Sequence, residues 1–245
     1  MHWLNEFLKF CRPVSRLTGS EWADAKRFIS LGTAAEPGPW RTYRTPYLQE
    51  PMDAATDKET EKVVLMFASQ VGKSEMLLNI LGYYADQEPS PQLMLQPTVE
   101  MAQAFSKERI APMFRDSPGL AGKLIEGKEG RGTEKKSSTT ILMKHYSGGF
   151  LALVGANSPA GLASRPIRIL LADEVDRYPE SAGKEGDPLK LAVQRTQNFG
   201  NRKLLMVSTP TVVGYSKIHR EFLAGDQREF VVQCPECKAY NELKW

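Results

Sequence analysis

Cysteine is scarce in this 245-residue chain: Cys11 stands alone, and Cys234 and Cys237 form a Cys-Pro-Glu-Cys pair. So odd and sparse a set excludes a disulfide framework and predicts a reducing compartment. Long apolar runs are also missing. No stretch approaches the roughly 18 to 20 residues that span a bilayer, so neither a transmembrane helix nor a membrane partner is expected. The opening MHWLNEFLKF mixes acidic and amide residues into its apolar positions, so no secretory leader is expected. Charge of one sign is not in excess either. Thirty-two basic and 29 acidic residues leave a net +3, which neither requires nor excludes a nucleic-acid partner. No internal repeat or low-complexity tract occurs.

What is present is the composition of an ordinary soluble globular protein, 41% hydrophobic and 25% charged. The length suits one large α/β domain with a short appendage. Residues 1–30 read as two helices split by RPVSRLTGS. The first carries an apolar stripe of Trp3, Leu4, Phe7, Leu8 and Cys11, and the second starts with Ser20 as N-cap. Residues 31–46, rich in Gly, Pro and Thr, predict an extended lead-in loop.

From Lys62 onward strands alternate with helices. KVVLMF, QLMLQP, IRILLADE and KLLMVSTP are continuous apolar runs, as buried parallel strands require. Helices are expected at about 73–85, from 99 to 114, over DPLKLAVQRTQNF and near 215–224. TTILMKHY and GFLALVGA flank a Ser-Gly-Gly turn and predict a hairpin. A short strand at 229–233 leads into the cysteine pair. The alternation implies a mainly parallel sheet with helices on both faces.

Three segments carry chemistry. FASQVGKSE ends in Gly-Lys-Ser, but five places before Gly72 stands Phe67, where a phosphate-binding loop usually has glycine. Gly72 would permit close backbone approach to a phosphate, Lys73 would reach the β- and γ-phosphates, and the Ser74 hydroxyl would ligate Mg²⁺. Ser69 and Gln70 must then shape the turn, and Val71 completes the nucleotide-binding loop. A bare Gly-Lys-Ser is as often a chance turn. IRILLADEVD ends on Asp173 and Glu174, suited to holding Mg²⁺ through water and to activating an attacking water; the bland alternative is two solvated acids. Asp176 is expected to face solvent or to pair with Arg177. KLLMVSTPT ends in Ser208, Thr209 and Pro210, hydroxyls able to sense a γ-phosphate, or a common turn. Loop, acidic strand and hydroxyl strand in that chain order predict an ATPase in which the third strand lies between the first two. The fold class is therefore α/β, a P-loop NTPase of the additional-strand (ASCE) type. Upstream, Tyr47 offers a ring to stack on adenine and Gln49 an amide for its edge, although the residues alone also suit a polar turn.

These segments, with SEWADAKRFISLGTAAEPGPWRTYRTPYLQ before them and RTQNFGNRKLLMVSTPTVVGYSKIHREF and DQREFVVQCPECKAYNELKW after them, resemble the large subunit of the DNA-packaging terminase of tailed phages, in its lambda-like branch. The likeness runs from about residue 20 to the end. It implies an ATPase, using ATP and Mg²⁺, that drives double-stranded DNA through a portal protein into a procapsid in the host cell cytoplasm. Its implied partners are the small terminase subunit and other copies of itself in a ring. Lys73, Ser74, Asp173 and Glu174 would fill the roles above, Tyr47 and Gln49 match the adenine segment, and Ser208, Thr209 and Pro210 match the coupling motif. The family is permissive at the start of the phosphate loop. It also carries a C-terminal nuclease with two metal ions, for which this chain has no later carboxylate cluster. The expected layout is N-terminal helices and lead-in over 1–45, the ATPase domain over 46–233 and the start of a linker over 234–245.

Arg165, then Arg195, is the expected arginine finger offered to the next subunit. The tract 121–138 includes Lys128, Arg131, Lys135 and Lys136, candidates for DNA phosphate contacts if it is not simply a solvated loop. The apolar stripe at the N-terminus would dock the small subunit or pack on its own domain. Cys234 and Cys237 have the spacing of half a zinc site. With His219 the only nearby imidazole, and set on a helix, no zinc is expected in this fragment. A helicase-like ATPase is the alternative, disfavoured by the single ATPase core; so is a non-catalytic nucleotide-gated clamp, disfavoured by the intact Lys73 and Glu174.

Overall fold

The computed structural model describes residues 16–32, 36–125, 139–159, 161, 165–212 and 214–242. The stripe of Trp3, Leu4, Phe7 and Leu8, and the basic residues Lys128, Arg131, Lys135 and Lys136, lie outside the described residues. In chain order the first half holds α1 (Gly19–Lys26), β1 (Phe28–Ile29), β2 (Gly38–Pro39), α2 (Gln49–Thr56), β3 (Lys62–Met66), α3 (Lys73–Asp86) and β4 (Pro91–Gln96). There follow α4 (Val99–Phe105), α5 (Ala111–Asp116), the hairpin β5 (Met143–Tyr146) and β6 (Gly149–Gly155), and β7 (Ile169–Asp173). The last part holds α6 (Pro188–Gln194), β8 (Lys203–Ser208), α7 (Lys217–Leu223), β9 (Val231–Gln233) and β10 (Tyr240–Glu242).

The main sheet has six strands in the order β3-β8-β7-β4-β6-β5, all parallel except β5, which runs antiparallel to β6. Its buried strands alternate between two apolar layers. Ile169 and Leu171 face the layer built around α1 and α3, and Leu170 and Ala172 face the layer around α6 and α7. Both faces are covered, so the apolar runs are continuous rather than alternating. Among the described residues, no helix is long and apolar enough to cross a membrane.

Helix α3 is the centre of one layer, buried on nearly every side from Met76 to Ala85. Gly82 lets α1 lie close: a Cβ there would fall 2.2 Å from the Trp22 ring. Trp22 is fully buried, and burying a side chain of that size stabilises by about 3 kcal/mol. Its indole Nε1 donates to Asp86 Oδ2 at 2.8 Å, where Lys26 and Lys123 each reach the carboxylate at 2.7 Å. Trp40 joins the same core, so the lead-in segment is packed, not merely extended.

Local signals account for the differences from expectation. The N-cap of α1 is Thr18, not Ser20; Thr18 and Glu21 form a capping box, and only Thr18 stands three residues before a glutamate. The helix expected over 99–114 widens to a π turn over Ser106–Ile110. Pro112, in the turn that follows, has no N–H to donate four residues back to Glu108.

Candidate nucleotide site

The variant loop solves its turn without the usual first glycine. Phe67 prolongs β3, its N–H donating to Ser208 O at 3.2 Å. The positive φ angles fall later, at Gln70 (φ 64°) and Gly72 (φ 87°). A left-handed glutamine costs roughly 1 kcal/mol, which the flanking strand and helix must hold in place. Leu48 sits against Gly72, where a Cβ would come within 3.1 Å of Leu48 Cδ1. Lys73 is almost fully buried. Its ammonium donates to Ala68 O at 2.5 Å, to Phe67 O at 3.5 Å and to Thr209 Oγ1 at 2.9 Å. Burial pushes the Lys73 ammonium below its usual value, against the opposing pull of Glu174 and Asp173.

The sheet order brings the other two segments to this loop. Because β8 lies between β3 and β7, with Met66 beside Ser208 and Asp173 beside Val207, all three tips share one edge. Ser74 Oγ donates to Asp173 Oδ2 at 3.2 Å, and Gln96 Nε2 donates to the same oxygen at 3.1 Å. Asp173 Oδ1 is buried with no hydrogen-bond partner among the described residues. Burial pushes the Asp173 carboxyl up, and Glu174 adds to that, while Gln96, Ser74 and Lys73 act against it. An orphaned carboxylate oxygen beside a hydroxyl is a hard-oxygen donor set. Mg²⁺ keeps several waters and takes one or two carboxylates plus phosphate oxygens, so these residues fit it. Glu174 leaves the strand in a left-handed turn (φ 53°), half-buried, with Oε2 3.6 Å from Arg177 Nε.

Asp176 is partly exposed, as one of the two expectations had it, but Arg177 pairs with Glu174, and the Asp176 carboxylate is taken up by hydrogen bonds instead. Its Oδ1 accepts from the Ile218 N–H at 2.7 Å, and its Oδ2 accepts from the Thr211 N–H and hydroxyl at 2.9 and 3.0 Å. Its own N–H donates to Ser208 Oγ at 3.2 Å. Burial works to raise this carboxyl, but the hydrogen bonds from Ile218, Ser216 and Thr211 outweigh it and hold it below the usual value. The acidic tip, the hydroxyl loop and the start of α7 are thus tied together.

The remaining candidates divide. Tyr47, half-buried, lies near the loop, its ring 6.0 Å from that of Phe67 and 6.0 Å from that of Phe230. Gln49 is exposed at the start of α2, and Pro210 is exposed beyond β8. Arg165 is exposed elsewhere, its guanidinium 5.8 Å from the Phe150 ring on β6, three strands removed from β8. Arg195 lines the same apolar pocket as Arg165. Cys234 and Cys237 are free in the β9–β10 hairpin, and among the described residues no three His, Cys, Asp or Glu side chains gather as a metal site. Gln96 was not foreseen, nor were Arg27 and Arg109, which both bind Glu75 in the first turn of α3.

A lysine loop on β3 and paired acids on β7, with β8 between them, define a P-loop ATPase fold of the additional-strand type. The chain belongs to the phage terminase large subunit gpA family, whose ATPase-domain model matches residues 34–245. It is 28% identical over 233 residues to the terminase large subunit of Escherichia phage lambda, covering 93% of this chain and 35% of that protein. To the terminase large subunit of Enterobacteria phage P21 it is 27% identical over 233 residues, covering 94% of this chain and 35% of that protein. The chain thus spans about a third of the length of these curated relatives. Among solved structures, a point mutant of the Thermus phage P74-26 large terminase ATPase domain superposes with a TM-score of 0.51 at 18% identity, over 80% of this chain and 76% of that one.

Proposed function

We propose that this chain hydrolyses ATP to drive double-stranded DNA into a procapsid, as the motor part of a longer terminase subunit working in a ring with copies of itself. The observation that supports this best is the convergence of three distant segments on one sheet edge. Ser74 lies 3.2 Å from Asp173, and Lys73 lies 2.9 Å from Thr209, across 99 and 136 residues of chain.

In this reading the backbone from Ser69 to Ser74 wraps the phosphates, aided by the N-terminus of α3. Lys73 exchanges its carbonyl partners for the β- and γ-phosphates. Ser74 and Asp173 would hold Mg²⁺, which would supply neutralisation of charge on the phosphate oxygens. Glu174 orients water and accepts its proton as oxygen bonds to the γ-phosphorus and the bond to ADP breaks. Tyr47 and Gln49 take the adenine. Thr209 and Ser208, with Pro210 after them, register the loss of the γ-phosphate, and Asp176 passes it to α7. Arg165 sits too far along the sheet to serve its own loop, so it acts on a neighbouring copy. The portal and the small subunit remain the partners this role requires, and the cysteine hairpin leads on towards the rest of the subunit.

The test uses the full-length subunit with procapsids, DNA and ATP. Glu174→Gln should still bind ATP and DNA yet release no phosphate and package nothing. Packaging by that variant at the wild-type rate would overturn the proposal.

A further inference from the structure

The buried run of β4 ends on an amide where apolar residues precede it. Gln96 is 2% exposed, and a primary amide so enclosed needs partners. Register supplies one: Leu95 lies beside Ala172 on β7, so the next residues, Gln96 and Asp173, come together. Gln96 Nε2 donates to Asp173 Oδ2 at 3.1 Å. An ionised carboxylate only accepts, so the nitrogen end of the amide must be the one that faces it.

The backbone of Gln96 is equally fixed. Its carbonyl accepts from the Ala156 N–H at 2.7 Å. The turn into α4 presses on β6 so closely that a Cβ on Gly155 would fall 2.4 Å from Val99 N. A side chain carried on a backbone fixed in this way, and itself buried, is pre-organised, as a group that aims another side chain must be. The second donor to Asp173 Oδ2 is Ser74 Oγ at 3.2 Å. That hydroxyl is wanted by the metal once nucleotide is bound, which leaves Gln96 as the direct holder of the carboxylate.

We propose that Gln96 is a positioning residue that aims the Asp173 carboxylate at the Mg²⁺ of a bound nucleotide. This rests on the nucleotide-site reading above, and the experiment separates the two. Binding of a fluorescent ADP analogue to the chain is titrated in EDTA and then at increasing Mg²⁺. Gln96→Met, of similar length and without a donor, should match wild type in EDTA within about twofold. The Mg²⁺ needed for half of the metal-dependent gain should rise about tenfold. Gln96→Glu, which keeps the shape and turns a donor into an acceptor, should behave alike and stands in if the methionine variant fails to fold. In an Asp173→Asn background, Gln96→Met should add no further loss, because both act through one carboxylate. Unchanged Mg²⁺ dependence, an equal loss with and without Mg²⁺, or additive losses would each overturn the proposal. Failure of the wild type to bind nucleotide at all would instead remove the nucleotide site, and this inference with it.

Discussion

Ser74 Oγ donates to Asp173 Oδ2 across 3.2 Å, joining the first turn of α3 to the tip of β7. The other oxygen of that carboxylate is buried without a partner among the described residues. Such an arrangement suits a bound cation and burdens the protein without one. In EDTA at neutral pH, Asp173→Asn should therefore unfold at higher urea than wild type, by about 1 kcal/mol. The sign with pH follows from a carboxyl raised by burial. The wild-type penalty is full above the raised value and disappears as pH falls towards the ordinary one, so the gap between the two proteins should close on acidification. An asparagine variant less stable than wild type at neutral pH would contradict this.

Asp176 behaves in the opposite way. Its carboxylate accepts two backbone N–H groups and a hydroxyl, so Asp176→Ala should cost about 2 kcal/mol in urea unfolding. Asp176→Asn keeps an acceptor and should lose less. Because this carboxyl is held below its usual value, its contribution is full above the unfolded value and fades as pH falls through the lowered one. The wild-type advantage over Asp176→Ala should be flat near neutrality and vanish in acid. A variant as stable as wild type would refute the tie between the acidic tip and α7.

Arg165 lies beside Phe150 of β6, three strands from the hydroxyl strand β8. In the ring proposed above, with Arg165 serving the neighbouring copy, Arg165→Ala should lower ATP turnover by about a thousandfold. Mixing Arg165→Ala with Glu174→Ala subunits should restore part of that turnover, since some interfaces then hold one intact loop and one intact arginine. No rescue at any mixing ratio would remove the role in trans.

The strands were legible because buried parallel strands write themselves as unbroken apolar runs, and the chain order of the motifs foretold β8 between β3 and β7; the places of β4, β6 and β5 in the sheet were not foretold. Gln70 was legible as a turn former because the missing first glycine left the bend to be made there or beside it. The hairpin at Gly148 was readable from its glycines. Asp176 was not, because its partner Ile218 is 42 residues away and a capping acid looks like any acid after a strand. Gln96 was hidden for the same reason. Its meaning depends on the register of β4 against β7, which an apolar pattern leaves open. Arg27 and Arg109 meet at Glu75 only because α1 and the π turn of Ser106–Ile110 pack on α3.

In the proposed site Lys73 and Ser74 grip a triphosphate opposite Asp173 and Glu174. Titration of a fluorescent ATP analogue with Mg²⁺ tests it most directly, on wild type, Lys73→Ala and Glu174→Gln. Wild type and Glu174→Gln should bind alike, and Lys73→Ala should bind at least about a hundredfold more weakly, having lost a buried charge on the phosphates. Equal binding by Lys73→Ala would mean that this loop does not hold the triphosphate.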